Sequence, residues 1–434
     1  MRMALVFINH AGARAAAIRQ WMSAPVGARP SWRWAVLVAM AVSLCFAVAQ
    51  HFATASVQDA GLQPDGGAWP DPSARYGDFA LFVRAGHAIL SGDLGHAYDA
   101  ATVQTGPLAL MWAGLFALTL HVFHATSSVG YAVSAIAMLA PTFYAVPLWA
   151  SRHTPPRWLY AVASGALVVL LIPWQLSDLI VYQHPTYLWV PALWLIAAGF
   201  ARQDRPVITA LLLGTACGLE TWAVLAVPVL LLALPSWRSR VRAGGISFVA
   251  TAAVWAPFVF SGQFRMFDMT WPNTIRTPIE ALLGDPTTIT WQTRLVQATV
   301  IVAASIAAWF FGRGVTDAAT VAVAVVAWSR VITDAQTYPY YRLPLFATTA
   351  AIVLAASAHF LRTRDRRALP ALGVSGAMIS LTQAEVLPGP MLAGTVLHVT
   401  ALTALAASAR AIPDAPSAAI GRSPSPDREP ELPA

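Results

Sequence analysis

The sequence predicts an all-α polytopic membrane protein of about twelve transmembrane helices, with further interfacial helices in its first outer loop. Three observations carry this. Hydrophobic residues make up 57% of the 434-residue chain and charged residues only 11%, where a soluble domain is about a quarter charged. The mean hydropathy is +0.59, and apolar runs of ~17–25 residues, each long enough to cross a bilayer as a helix, recur along the chain. Arginines fall mostly in the short connections between those runs, the pattern of cytoplasmic loops. A β-barrel does not fit, because its strands would alternate over only ~10 residues. The net charge of +7 does not point to nucleic acid, since the chain has no lysine and its arginines are dispersed among those connections.

Residues 1–33 carry Arg2, Arg14, Arg19, Arg29 and Arg33 ahead of an apolar run over 34–52, which keeps the N-terminus cytoplasmic. Ala53-Thr-Ala55 has the small residues of a cleavage site, but the long leader favours an uncleaved first span. Residues 53–128 then form the first extracytoplasmic loop. Within it Phe79, Phe82, Val83, Gly86 and Leu90 recur at helical spacing and predict an amphipathic helix along the interface, ended by Ser91-Gly92-Asp93. Gly106-Pro107 opens a second apolar segment through Phe123.

Charge decides how that second segment is counted. Taken as interfacial, it leaves later spans at 129–150, 158–173, 185–201, 206–219, 222–235, 243–260, 293–312, 315–332, 343–361, 368–387 and 391–409. Arg152, Arg157, Arg202, Arg205, Arg238, Arg240, Arg242 and Arg313 are then cytoplasmic, whereas counting it as a span would put the first four outside. The transmembrane domain covers 34–409 and both termini lie inside. The tail 410–434, rich in Pro, Ser and charge, reads as disordered. Such a chain belongs in the inner (plasma) membrane as a multi-pass protein.

Asp78 follows Gly77 at the start of the amphipathic helix, where it reads as an N-cap and equally as a carboxylate able to deprotonate a hydroxyl at the interface. Asp93 and Asp99 adjoin turn residues and read as turn formers. Arginines on the outer side run against the charge bias: Arg75, Arg84, Arg265, Arg276, Arg330 and Arg342. Arg330 and Arg342 bracket a Tyr-rich loop between two spans, where a planar fork suits a lipid phosphate; salt bridges to Asp334 are the plainer reading. Glu220 sits between two short apolar segments, and an acid at that depth is a functional candidate. His184 and His87 lack ligand spacing and read as polar interface residues rather than metal ligands. Cys45 and Cys217 lie in apolar runs and read as small core residues. No cofactor is implied, for the sequence has no GxGxxG or P-loop pattern.

Four pieces of this chain together resemble the C-type (GT-C) membrane glycosyltransferases, most nearly family 87, the polyprenol-phosphate-mannose-dependent mannosyltransferase type. They are Gly77-Asp78-Phe79, Ser91-Gly92-Asp93-Leu94, Ala97-Tyr98-Asp99 and Gly106-Pro107-Leu108. Weaker matches are Tyr182-Gln183-His184, Trp271-Pro-Asn273 and the stretch from Asp334 to Pro344. Three positions depart from the family pattern. Its first Pro is Gly106, its Lys between two short spans is Glu220, and its late-loop His is Tyr340 or Tyr341.

The resemblance implies a GT-C-like helical bundle that transfers a hexose, mannose favoured, from a polyprenyl-phosphate donor to a lipid or glycan acceptor on the outer face. It implies Asp78 as general base, Arg330 and Arg342 at the donor phosphate, and Arg84, Tyr98, Asp99, Gln183, His184, Glu220, Asn273, Tyr340 and Tyr341 as substrate-binding candidates. Its partners are then the lipid-linked donor, the acceptor and membrane lipids, with no metal. A transporter or flippase for a polar or lipid-linked substrate is the alternative, but it predicts paired half-repeats, and the sequence shows none.

Overall fold

The computed structural model describes residues 77–122, 184–272, 288–311, 318–334, 339–345, 347–348 and 351. The basic segment 1–33, the spans expected at 34–52, 129–150, 158–173, 368–387 and 391–409, the tail 410–434, and the candidates Gln183 and Asn273 lie outside these residues. What is described is mostly helical, in keeping with an all-α protein.

Helix α1 (Gly77–Leu90) ends in a turn at Gly92, whose φ of 81° suits glycine. A 3-10 turn (Leu94–Tyr98) leads to α2 (Pro107–Val122), which packs along α1. The two backbones touch through a glycine pair: a Cβ on Gly86 would lie 2.1 Å from the Leu110 carbonyl oxygen and 2.7 Å from the Gly114 nitrogen. This crossing turns α1. Of the apolar face expected to lie along the interface, Phe82, Val83 and Gly86 are buried within the protein together with Ala85 and Ala88, while Leu90 is 41% exposed.

Helices α3 (Thr186–Arg202) and α4 (Pro206–Leu219) form an antiparallel pair across a short connection in which Asp204 takes a left-handed conformation. Helix α4 stops because Glu220 is extended, and the span expected over 222–235 is broken into a 3-10 turn (Thr221–Ala226) and α5 (Val227–Leu232). Pro228 accounts for the restart: it lacks an N–H to donate backwards and fits the first helical turn.

Helix α6 (Trp237–Val259) runs parallel to α4, since Gly214 meets Ala250 and Gly218 meets Val254. The beginnings of α4 and α6 and the end of α3 therefore gather Arg202, Arg205, Arg238, Arg240 and Arg242 at one end of the bundle. Beyond a 3-10 turn (Met266–Asp268), strands β1 (Trp271–Pro272) and β2 (Thr288–Ile289) pair antiparallel. Helices α7 (Trp291–Phe311) and α8 (Ala318–Thr333) pack together, and a 3-10 turn (Pro339–Arg342) follows where a span was expected to begin at 343.

Among the described residues, two helices, α6 and α7, are long and apolar enough to cross a membrane, and only 17% of each apolar window is buried. The core helix of a soluble protein would be mostly covered; here Phe248 and Val249 on α6 and Leu295 on α7 face outward, as lipid contact allows.

The segment before α2 is stitched to the break after α4. The Gly106 N–H donates to the Leu219 carbonyl at 2.9 Å, Thr105 bridges Glu220 as a short antiparallel pair, and a Cβ on Gly106 would lie 2.2 Å from the Gly218 carbonyl oxygen. Glycine at 106, where the resembled family has proline, follows from this contact, because proline would bring both a ring and a missing donor. Gly106→Ala should therefore lower stability by about 1–3 kcal/mol through overpacking. Gly245→Ala on α6, which meets nothing within 4 Å, should leave it unchanged or raise it by about 0.5–1 kcal/mol. Thermal melting of the two variants in detergent compares them directly.

Candidate functional site

At the end of the bundle away from the clustered arginines, the start of α1, the start of α3, the break after α4 and the end of α8 converge. Each brings one polar residue, and the three that are buried, His184, Glu220 and Arg330, are ones an apolar surrounding would reject without a partner.

Asp78 lies in the first turn of α1, inside the helix rather than at the capping position expected for it. Its Oδ2 is 3.2 Å from His184 Nε2, with the carboxylate half-exposed and the imidazole buried. His184, expected as a polar interface residue, is thus an interior one, 6% exposed. Tyr340 stacks on its face at 4.3 Å and 15°, and Phe82 and Tyr187 meet its edges at 5.0 and 5.6 Å. The imidazole that meets the late loop therefore comes from the start of α3, while the late loop itself supplies Tyr340 and Tyr341.

Glu220 is buried in the break after α4. Its Oε1 accepts from Thr105 Oγ1 at 2.9 Å and from Thr186 Oγ1 at 2.5 Å. Burial lifts its carboxyl above the usual carboxylate range, against the opposing pull of Thr186, His184, Thr105 and Arg330. One carboxyl thus joins three segments distant in sequence.

Arg330, near the end of α8, is 7% exposed. Its guanidinium lies over the rings of Trp222 at 4.3 Å, Tyr341 at 4.7 Å and Tyr187 at 5.0 Å, an arrangement that favours a cation. Nη2 donates to the Tyr187 hydroxyl at 3.0 Å and stands 4.0 Å from Asp334. The expected Arg330–Asp334 pairing is thus the looser of two, for Asp334 bonds Arg294 Nη1 at 2.7 Å. Arg330 Nη1, the His184 Nδ1 and the Trp222 Nε1 are buried with no hydrogen-bond partner among the described residues. All three side chains pack around Tyr187. Arg and Trp can only donate, so the arrangement suits an oxygen-bearing anion.

The remaining candidates sit elsewhere. Arg84 and Asp99 pair with each other at 3.1 Å on the surface. Tyr98 is buried among Trp255, Phe258 and Phe264 and donates to the Thr105 carbonyl at 2.9 Å. Arg342 ends the late-loop turn that carries Tyr340 and Tyr341. Among the described residues, no group of three His, Cys, Asp or Glu side chains lies together in a way that would hold a metal.

No family model matches the chain, and no curated protein does. The resemblance of the Asp78 stretch stands on its own residues.

Sequence reasoning did not find Arg294, Thr105, Thr186 or Tyr187. Arg294 carried a signal, a charge one turn inside an apolar run; it lies over Trp271 at 4.8 Å and donates to Gln297 and Asp334. The threonines and Tyr187 carried none, since nothing in their neighbours marks them.

The Glu220 junction yields a stability test. Glu220→Gln keeps an acceptor oxygen for both threonines, whereas Glu220→Leu leaves the buried Thr186 hydroxyl unpaired and Thr105 with the Leu219 carbonyl alone, at a cost of about 1–3 kcal/mol. The raised carboxyl also means that the folded state holds its proton more tightly than the unfolded chain. Stability should fall as pH rises from the usual Glu range to the raised value, then level off. Melting curves between about pH 4 and pH 8 should show this fall in the native chain and lose it in Glu220→Gln.

Proposed function

We propose that the chain is a multi-pass glycosyltransferase of about twelve spans with a GT-C-like bundle, its arginine-rich end cytoplasmic and its site at the outer face. It transfers a hexose, mannose favoured, from a polyprenyl-phosphate donor to a lipid or glycan hydroxyl. The observation that carries the reading is one juxtaposition. The half-exposed Asp78 carboxylate meets His184, His184 meets Tyr187, and Tyr187 meets the buried Arg330 guanidinium, whose Nη1 has no hydrogen-bond partner among the described residues.

The chemistry follows from that pair. The acceptor hydroxyl gives its proton to the Asp78 carboxylate as its oxygen attacks the anomeric carbon. The bond from that carbon to the phosphate oxygen breaks with inversion, and the electron pair stays on the departing lipid phosphate. Arg330 offers a charge-assisted hydrogen bond to the oxygen where this charge develops, in a surrounding of low dielectric that strengthens it. Arg342 serves the same phosphate from the late-loop turn. Tyr340 and Tyr341 supply stacking surface of the kind a sugar face takes.

The test is transfer of label from a radiolabelled polyprenyl-phosphate hexose to endogenous acceptors in membranes bearing the chain. Asp78→Asn should lower transfer by about 10²–10⁴-fold, and Arg330→Ala by about 10²–10³-fold. Equal transfer by Asp78→Asn removes it as the base. Absence of transfer from every lipid donor, with uptake or flipping of a lipid-linked substrate instead, favours the transporter.

A further inference from the structure

We infer that His184 is the positioning residue for Asp78, an inference that rests on the transferase reading above. The two are separated by 106 positions in sequence, and the fold brings them together by seating the start of α1 against the start of α3. An ionised carboxylate only accepts hydrogen bonds, so the 3.2 Å contact has His184 Nε2 as the donor and Asp78 Oδ2 as the acceptor. That leaves the other carboxylate oxygen to take the acceptor's proton. A half-exposed aspartate at a helix start otherwise samples several rotamers, and a base held in one of them gains through orientation.

The imidazole is itself fixed, and not by a second hydrogen bond from the described residues, among which its buried Nδ1 has no partner. Aromatic packing holds it. Tyr340 covers its face, while Phe82 and Tyr187 set its edges at 80° and 84°. Phe82 lies one turn beyond Asp78 on α1, so the helix that supplies the carboxylate also supplies one wall around its partner. Tyr340 belongs to the late-loop turn next to Arg342, so the contact on the base is joined mechanically to the loop assigned to the phosphate. Because Nδ1 is closed off while Asp78 is reachable, His184 acts through Asp78 and does not itself meet the acceptor hydroxyl.

The test uses the full chain in lipid nanodiscs and the variants Asp78→Ala, His184→Ala, His184→Gln and Asp78→Ala/His184→Ala. Melting temperatures come first. Coupled residues give a double variant whose loss is smaller than the sum of the single losses, and strict additivity overturns the pairing.

Kinetics with the labelled donor come second. His184→Ala should lower kcat by about 10²-fold with the donor KM held within about twofold. His184→Gln, whose amide nitrogen takes the place of Nε2, should recover most of the loss. A merely structural histidine would move the melting temperature and KM while leaving kcat, and glutamine would restore nothing; either result overturns the inference. Should the native chain transfer no sugar, the transferase reading falls and the role of His184 in it falls too, while the melting cycle still decides whether Asp78 and His184 are coupled.

Discussion

One buried carboxyl holds the described architecture together. Glu220 sits in the break after α4 and has to be satisfied there, since an unpaired acid in an apolar interior costs several kcal/mol. Thr105 and Thr186 satisfy it, and in doing so they pin the segment before α2 and the first turn of α3 to the same point. The rest of the site hangs from that junction. Helix α1 follows α2 through the Gly86–Gly114 crossing and brings Asp78. His184 lies two residues before Thr186, and Trp222 lies two residues after Glu220 beneath the Arg330 guanidinium.

The same junction explains why the site combines groups of such different exposure. Asp78 is half-exposed, while Arg330 is enclosed by Tyr187, Trp222 and Tyr341. Aromatic faces stabilise a cation without consuming its hydrogen-bond donors, which leaves the buried Nη1 of Arg330 uncommitted among the described residues. Asp334 would quench that charge if it sat closer, but Arg294 holds it, and Gln297 and Thr333 tie the same network to α7 and α8. Arg294 thus keeps the neighbouring acid occupied, and the Arg330 guanidinium retains a net positive charge for an incoming anion.

Much of this was legible in the sequence wherever the physics is local. Helical spacing marked α1, the apolar runs marked α3, α4, α6, α7 and α8, and Gly92 and Pro206 fell at the turn and helix start their backbones favour. Asp78, Glu220 and Arg330 stood out because charge in an apolar chain is costly. What stayed hidden is what depends on distant pairing: His184 as the partner of Asp78, the threonines that satisfy Glu220, and Arg294 as the holder of Asp334. The outward turn of Leu90 was equally out of reach, because it follows from how closely two helices approach at a glycine pair and not from the periodicity of either one.

On the proposed function, a lipid phosphate binds at this end of the bundle between Arg330 and Asp78. An experimental structure of the chain in nanodiscs with a non-hydrolysable polyprenyl-phosphonate hexose tests it most directly. The expected result is a phosphonate oxygen within hydrogen-bond distance of Arg330 Nη1, with the sugar's anomeric carbon turned toward the Asp78 carboxylate. A phosphonate bound at the arginine-rich end of α3, α4 and α6, or one that leaves Arg330 without contact, would contradict it.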